Sequence, residues 1–120
     1  MSVQNEEQEQ IKIFQWASYQ TGLYPELKLL HHIPNGGERN RIVAAKLKAA
    51  GVKRGVPDIS LPVARGGYHG LYIELKYGDG RPTTEQKAWH DALIEQGYKA
   101  VFCWGFEEAI EVIKEYLKLK

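Results

Sequence analysis

Gly55-Val56-Pro57-Asp58, followed after an apolar stretch and a glycine-rich interruption by Tyr72-Ile73-Glu74-Leu75-Lys76, decides how this chain folds. The two segments read as adjacent strands. Side chains alternate faces along a strand, so Glu74 and Lys76 share one face while Ile73 and Leu75 turn to the other. The pairing brings Asp58, Glu74 and Lys76 together. Two acids and a lysine at one sheet edge can hold a hard divalent cation and position a water for hydrolysis, the chemistry of a metal-dependent phosphodiesterase.

The rest of the chain is compatible with such a site. Its 120 residues suit one domain with one core. Hydrophobic residues make up 43% and charged residues 26%, an ordinary soluble composition. The single cysteine, Cys103, excludes an internal disulfide framework and a cysteine-cluster zinc site. It lies in the apolar run Ala100-Val101-Phe102-Cys103-Trp104, which suits a buried, inert thiol. An acidic, polar start does not suit a signal peptide, and no apolar run reaches membrane-spanning length. The expected setting is cytoplasmic.

Net charge is only +1, so the totals do not mark a strongly basic nucleic-acid binder. The distribution says more. Glu6, Glu7 and Glu9 crowd the start, whereas Arg39, Arg41, Lys46, Lys48, Lys53 and Arg54 form a stretch without an acid. That stretch either faces phosphates or is a solvated helix face.

Outward from the central pair, periodicity predicts a helix over 6–21 carrying Ile13, Phe14, Ala17 and Thr21, ended by Gly22 and Pro25. Leu27–Ile33 reads as a short strand stopped by Pro34 and the Asn35-Gly36-Gly37 turn. A second helix is expected over 39–50, with Ile42, Val43, Leu47 and Ala50 as its apolar stripe and Gly51 after it. Asp58–Val63 and Leu71–Lys76 form a hairpin. Thr83 or Thr84 caps a helix running to about Glu95, expected to bury Trp89, Ala92, Leu93 and Gln86. Lys99–Trp104 is a strand and Phe106–Leu117 a final amphipathic helix. The order αβαββαβα predicts an α/β fold, a mixed central sheet flanked by helices.

Each motif has a plain structural reading as well. An Asp after Pro is a common turn residue, and Glu-x-Lys a common half-exposed strand with a same-face ion pair. Together, in strand-turn-strand order before a helix, they are more specific. Pro57-Asp58…Glu74-Leu75-Lys76 resembles the PD-(D/E)XK nuclease signature. Four further segments resemble its VRR-NUC (virus-type replication-repair nuclease) branch: Glu7-x-x-Gln10, Ile33-Pro34-Asn35-Gly36-Gly37, Gly51-Val52-Lys53-Arg54-Gly55-Val56-Pro57-Asp58, and Thr84-x-Gln86-Lys87-x-Trp89. The resemblance extends from about residue 6 to 117, and a single-domain member of this kind is similar to stand-alone nucleases of bacteriophages and bacteria.

The resemblance implies a restriction-endonuclease-like fold and a set of roles. Asp58, Glu74 and the Leu75 main-chain carbonyl would ligate Mg²⁺ or Mn²⁺. Lys76 would position the attacking water and offset charge on a phosphorane-like transition state. Glu7 matches the first-helix acid, a direct or water-mediated ligand, with Glu6 and Glu9 as close competitors. Gln86 would hydrogen-bond near Lys76 or a phosphate. Asn35 belongs to a loop near the site, and Lys53, Arg54, Arg39 and Arg41 would meet the nucleic-acid backbone. Of the histidines, His31 and His32 cannot both face the core, and His69 and His90 read as surface residues. Trp16, Trp89 and Trp104 read as core anchors.

The implied activity is an Mg²⁺- or Mn²⁺-dependent DNA endonuclease in replication, repair or recombination. A non-catalytic DNA-binding module and an RNA or small-molecule phosphodiesterase are the alternatives. A chain of this size has little room for a sequence-reading domain, so backbone shape at flaps, branches or Holliday junctions is the expected target. Tyr19, Leu23, Tyr24, Leu27, Leu29 and the loop residue Tyr68 supply apolar surface for a homodimer, which would hold two sites at fixed separation.

Overall fold

The structure, a computed structural model, describes residues 5–34 and 40–120. Helix α1 (Glu6–Gln20) is followed by a 3-10 turn at Pro25–Leu29 and the two-residue strand β1 (His31–His32). Helix α2 (Arg41–Ala49), strands β2 (Ile59–Leu61) and β3 (Leu71–Lys76), helix α3 (Thr84–Glu95), strand β4 (Lys99–Trp104) and helix α4 (Phe106–Lys118) complete the order. The sheet runs β1-β2-β3-β4, with β1–β2 and β2–β3 antiparallel and β3–β4 parallel. It is the mixed, helix-flanked α/β architecture that the element order implies.

Register assigns the two faces of the sheet. Ile59 pairs with Ile73 and Leu61 with Leu71, while Ile73 and Leu75 lie beside Val101 and Cys103. These residues form one face, packed on Ile13 and Ala17 of α1 and on Ala109, Ile113 and Tyr116 of α4. Burial of this apolar face is the main force holding the layers together. Tyr116 also donates its hydroxyl to the Val63 carbonyl at 2.6 Å, tying α4 to the segment after β2. The opposite face carries Ser60, Tyr72, Glu74, Lys76, Phe102 and Trp104. Helix α3 covers part of it. Its Thr83–Gln86 capping box fixes where the helix begins.

Several elements differ from the sequence expectation. Leu27–Ile33 is not one strand. Pro25 starts a 3-10 turn, whose period of three puts the buried Leu27 and Leu30 on one side, and only His31 and His32 remain extended. Both histidines are exposed, because this edge strand is too short to be covered. The apolar stripe of α2 meets no core: Ile42 is 70% exposed and no α2 residue is buried. In α3 the buried residue is His90, not Ala92, because both of its ring nitrogens find main-chain carbonyls. They meet those of Gln86 at 2.9 Å and Val101 at 3.0 Å. His90 also stacks on Phe102 with ring centroids 3.8 Å apart. Trp104 is 39% exposed, so it is no core anchor, and Trp16 and Trp89 are half-buried.

One glycine shapes the approach to the site. Gly55 has φ +91°, and a Cβ there would lie 2.6 Å from the Glu85 carbonyl oxygen and 2.9 Å from Trp89 Cδ1. Only glycine lets the segment before Asp58 press against the start of α3. Among the described residues, no helix is long and apolar enough to cross a membrane.

Candidate active site

The site forms where the β2–β3 ladder stops. Ile59–Ile73 is its last regular pair, and the same register would place Asp58 opposite Glu74. A further ladder bond does not form there. Instead Asp58 Oδ2 accepts the Leu75 N–H at 2.8 Å, so a carboxylate occupies the place of a neighbouring strand's carbonyl. The Asp58 carbonyl is itself held from the other side. It accepts the Ile33 N–H at 2.7 Å and lies 2.8 Å from His32 Nδ1. His32 carried no role in the sequence reading, because its contact spans 26 positions and leaves no local signal.

Glu74 is 2% exposed and Lys76 6% exposed, and Lys76 Nζ stands 4.0 Å from Glu74 Oε2. Gln86 donates its amide to that same oxygen at 3.1 Å, while its carbonyl accepts the Thr83 N–H at 3.0 Å. The capping box therefore sets which end of the Gln86 amide faces Glu74. Glu74 Oε1 is buried and receives no hydrogen bond. Burial pushes the Glu74 carboxyl up to about 9. The charge of Asp58 and a bond with its carboxylate add to this, Lys76 opposes it, and Glu6 contributes a smaller upward push. A buried carboxyl next to a second carboxylate holds its proton more tightly than an ordinary one.

The first-helix acids separate cleanly. The buried face of α1 runs through Glu9, Ile13 and Ala17. Glu6 lies on that face by helical spacing, one turn before Glu9. Its carboxyl is raised above the usual range, first by partial desolvation; Lys76 draws it down and Asp58 pushes it up. Glu6 and Glu7 are both exposed, and Glu7 sits on the adjoining face with Ile11, Phe14 and Ser18, which line a shallow groove. Glu9 is committed elsewhere: its Oε1 accepts the Phe106 N–H at 3.0 Å and caps α4. Of the three acids, Glu6 is the one coupled electrostatically to Asp58, Glu74 and Lys76. Lys53, Arg54 and Arg41 are exposed. Asn35 and Arg39 lie outside the described residues.

Residues 4–107 match the family described as the VRR-NUC domain. The chain belongs to the VRR-NUC family. A solved structure titled "VRR_NUC domain protein" is 37% identical and superimposes with a TM-score of 0.83. The match covers 98% of this chain and 91% of that one. No curated protein matches the sequence. VRR-NUC is a nuclease-type family, for which DNA is the implied partner and divalent metals are the usual cofactors.

The donor set of this VRR-NUC domain fits a hard cation. Among the described residues, no three His, Cys, Asp or Glu side chains form a metal-holding group. Mg²⁺ does not need one. It keeps several waters and takes one or two carboxylates together with substrate phosphate oxygens. Asp58 with Glu74, whose Oε1 has no donor, matches that demand.

The raised Glu74 carboxyl sets a pH dependence for the metal-free protein. Between the ordinary 4.5 and about 9, the folded state holds a proton that the unfolded state has lost. Stability therefore falls as pH rises through this window. Glu74→Gln keeps a neutral, similarly shaped side chain and should flatten the fall. Thermal melts in EDTA from pH 5 to 9 check it, and a wild-type midpoint that rises steadily towards pH 9 would contradict it.

Proposed function

We propose that this VRR-NUC domain, as a single unit over residues 1–120, is a metal-dependent DNA endonuclease that selects flapped, branched or junction DNA. The observation that carries the reading is the buried, donor-free Glu74 Oε1 beside Asp58 and Lys76. Asp58, Glu74 and the Leu75 main-chain carbonyl would hold Mg²⁺ or Mn²⁺, with Glu6 in place of Glu7 as the helix acid. When bound, the cation supplies charge neutralisation at a phosphoryl oxygen and acidifies a water.

The protein's own groups account for the remaining requirements. Lys76 extends from a strand whose main chain is fixed on both sides, since Leu75 N–H bonds Asp58 and the Lys76 carbonyl accepts the Gly105 N–H at 3.0 Å. Its side chain is buried with Nζ 4.0 Å from Glu74 Oε2, a confined ammonium that suits positioning of water and stabilisation of developing negative charge. Gln86 keeps Glu74 oriented through its own capped amide. Lys53 and Arg54, just before the Pro57-Asp58 turn, and Arg41 at the start of α2 supply cations for flanking phosphates. Asn35 and Arg39, the other nucleic-acid contacts expected from the sequence, lie outside the described residues. The exposed Tyr19, at 86%, Leu23 and Leu29 offer apolar area for a second copy, so that two sites serve two strands.

Two experiments follow from this reading. Lys76→Ala should abolish nicking of flapped or four-way DNA in Mn²⁺ while DNA binding persists, and Asp58→Ala should lose metal binding as well. Glu6→Gln should slow cleavage about tenfold or more, whereas Glu7→Gln should not. Near-wild-type cutting by Lys76→Ala would overturn the mechanism. The assembly is checked by light scattering at micromolar concentration. A mass of twice 13.7 kDa is expected, falling on Tyr19→Glu/Leu23→Glu substitution. A 13.7 kDa species with and without branched DNA would leave a nicking monomer.

A further inference from the structure

Trp104 stands apart from the other aromatic residues of the sheet. It shares the site face with Phe102, because Phe102 lies beside Glu74 and Trp104 beside Lys76 in the parallel β3–β4 register. Phe102 is covered by the stacked His90 ring. Two residues further along, α3 no longer covers the face, and Trp104 is 39% exposed. Among the described residues, no ring or cation stacks on it.

The indole is exposed yet fixed. Its Nε1–H donates to the Gly80 carbonyl at 2.9 Å, and its main-chain N–H donates to Glu108 Oε1 at 2.9 Å. Gly80 belongs to the turn after β3, where its N–H meets the Tyr77 carbonyl at 3.0 Å. A Cβ built on Gly80 would lie 3.7 Å from Lys76 Cδ. Gly80 thus anchors the indole edge close to the Lys76 stem. A rigid aromatic surface stands directly beside the lysine of the site, with Tyr77, 38% exposed, on the same turn.

We propose that Trp104 is the stacking platform for one unpaired base next to the phosphate handled by Lys76. This rests on the nuclease reading above and names a substrate class for it: DNA with an unstacked nucleotide at the cut. A base within a duplex is already stacked on both sides and gains nothing from the indole. An unpaired base stacks on it at little cost, and its π-face suits any sequence. The Glu108 carboxylate beside the Trp104 main chain disfavours a phosphate there. The neutral base therefore sits over Trp104 and the phosphate on the Lys76 side. The exposed Arg81, on the same turn, is available to the next phosphate along.

A flap substrate carrying one abasic nucleotide, walked along the unpaired strand, tests this. Binding is read in EDTA by fluorescence polarisation of labelled DNA, so the result does not depend on cleavage. At one position the abasic site should weaken binding to the wild-type protein about tenfold. Trp104→Ala should lose the same factor on intact DNA and show no further loss at that abasic position, while Trp104→Phe retains most of the affinity. Blunt duplex should bind wild type and Trp104→Ala alike. An abasic penalty that is equal in wild type and Trp104→Ala, or absent at every position, would overturn the proposal. Loss of cleavage with the binding pattern intact would instead count against the catalytic reading.

Discussion

The hydrogen bond from the Leu75 N–H to Asp58 Oδ2 is the constraint on which the rest of the site depends. At that point a β-ladder would ordinarily continue through main-chain carbonyls. A side-chain carboxylate takes the position instead, which ends the β2–β3 ladder without orphaning the Leu75 donor. The same substitution commits Asp58 to stand across from Glu74, because the register is already set by Ile59–Ile73 and Leu61–Leu71 in the core. The apolar face of the sheet thus determines where the acids meet on the other face.

Bringing two carboxylates together in a buried place is unfavourable for the bare fold. Glu74 responds by holding a proton, and Lys76 and Gln86 offset only part of its environment. The arrangement persists because its supports are anchored elsewhere. Gln86 is fixed by the Thr83 capping box, and α3 is clamped to β4 by His90. Local instability of this kind, held in place by a well-packed surround, is the usual mark of a site built to bind something.

The strands and helices around the site were largely legible in the sequence. β3, α3, β4 and α4 follow alternation, a Thr cap, an apolar run and a clear helical stripe, and each signal is local. The misreadings share one cause, which is that they turn on what lies opposite. Leu27 and Leu29 alternate like a strand, yet Leu27 and Leu30 are the buried pair, at the spacing of a 3-10 turn begun by Pro25. The stripe of α2 is real, but among the described residues none of it is buried. His90 is buried because Val101 lends it a carbonyl from another element. For the helix acid, neighbouring positions differ by about 100° of rotation, so choosing Glu7 or Glu6 requires knowing which face is buried. That Asp58, Glu74 and Lys76 belong together was legible from the strand pairing alone, whereas their roles still rest on chemistry.

The central claim is that Glu74, buried beside Asp58, holds a proton that a cation must displace. Calorimetric titration of Mn²⁺ into the protein at pH 7, in two buffers of different ionisation enthalpy, measures that displacement directly. The account predicts about one proton released per Mn²⁺ bound, and release that disappears in Glu74→Gln. Tight Mn²⁺ binding with no proton released from the wild-type protein would contradict it.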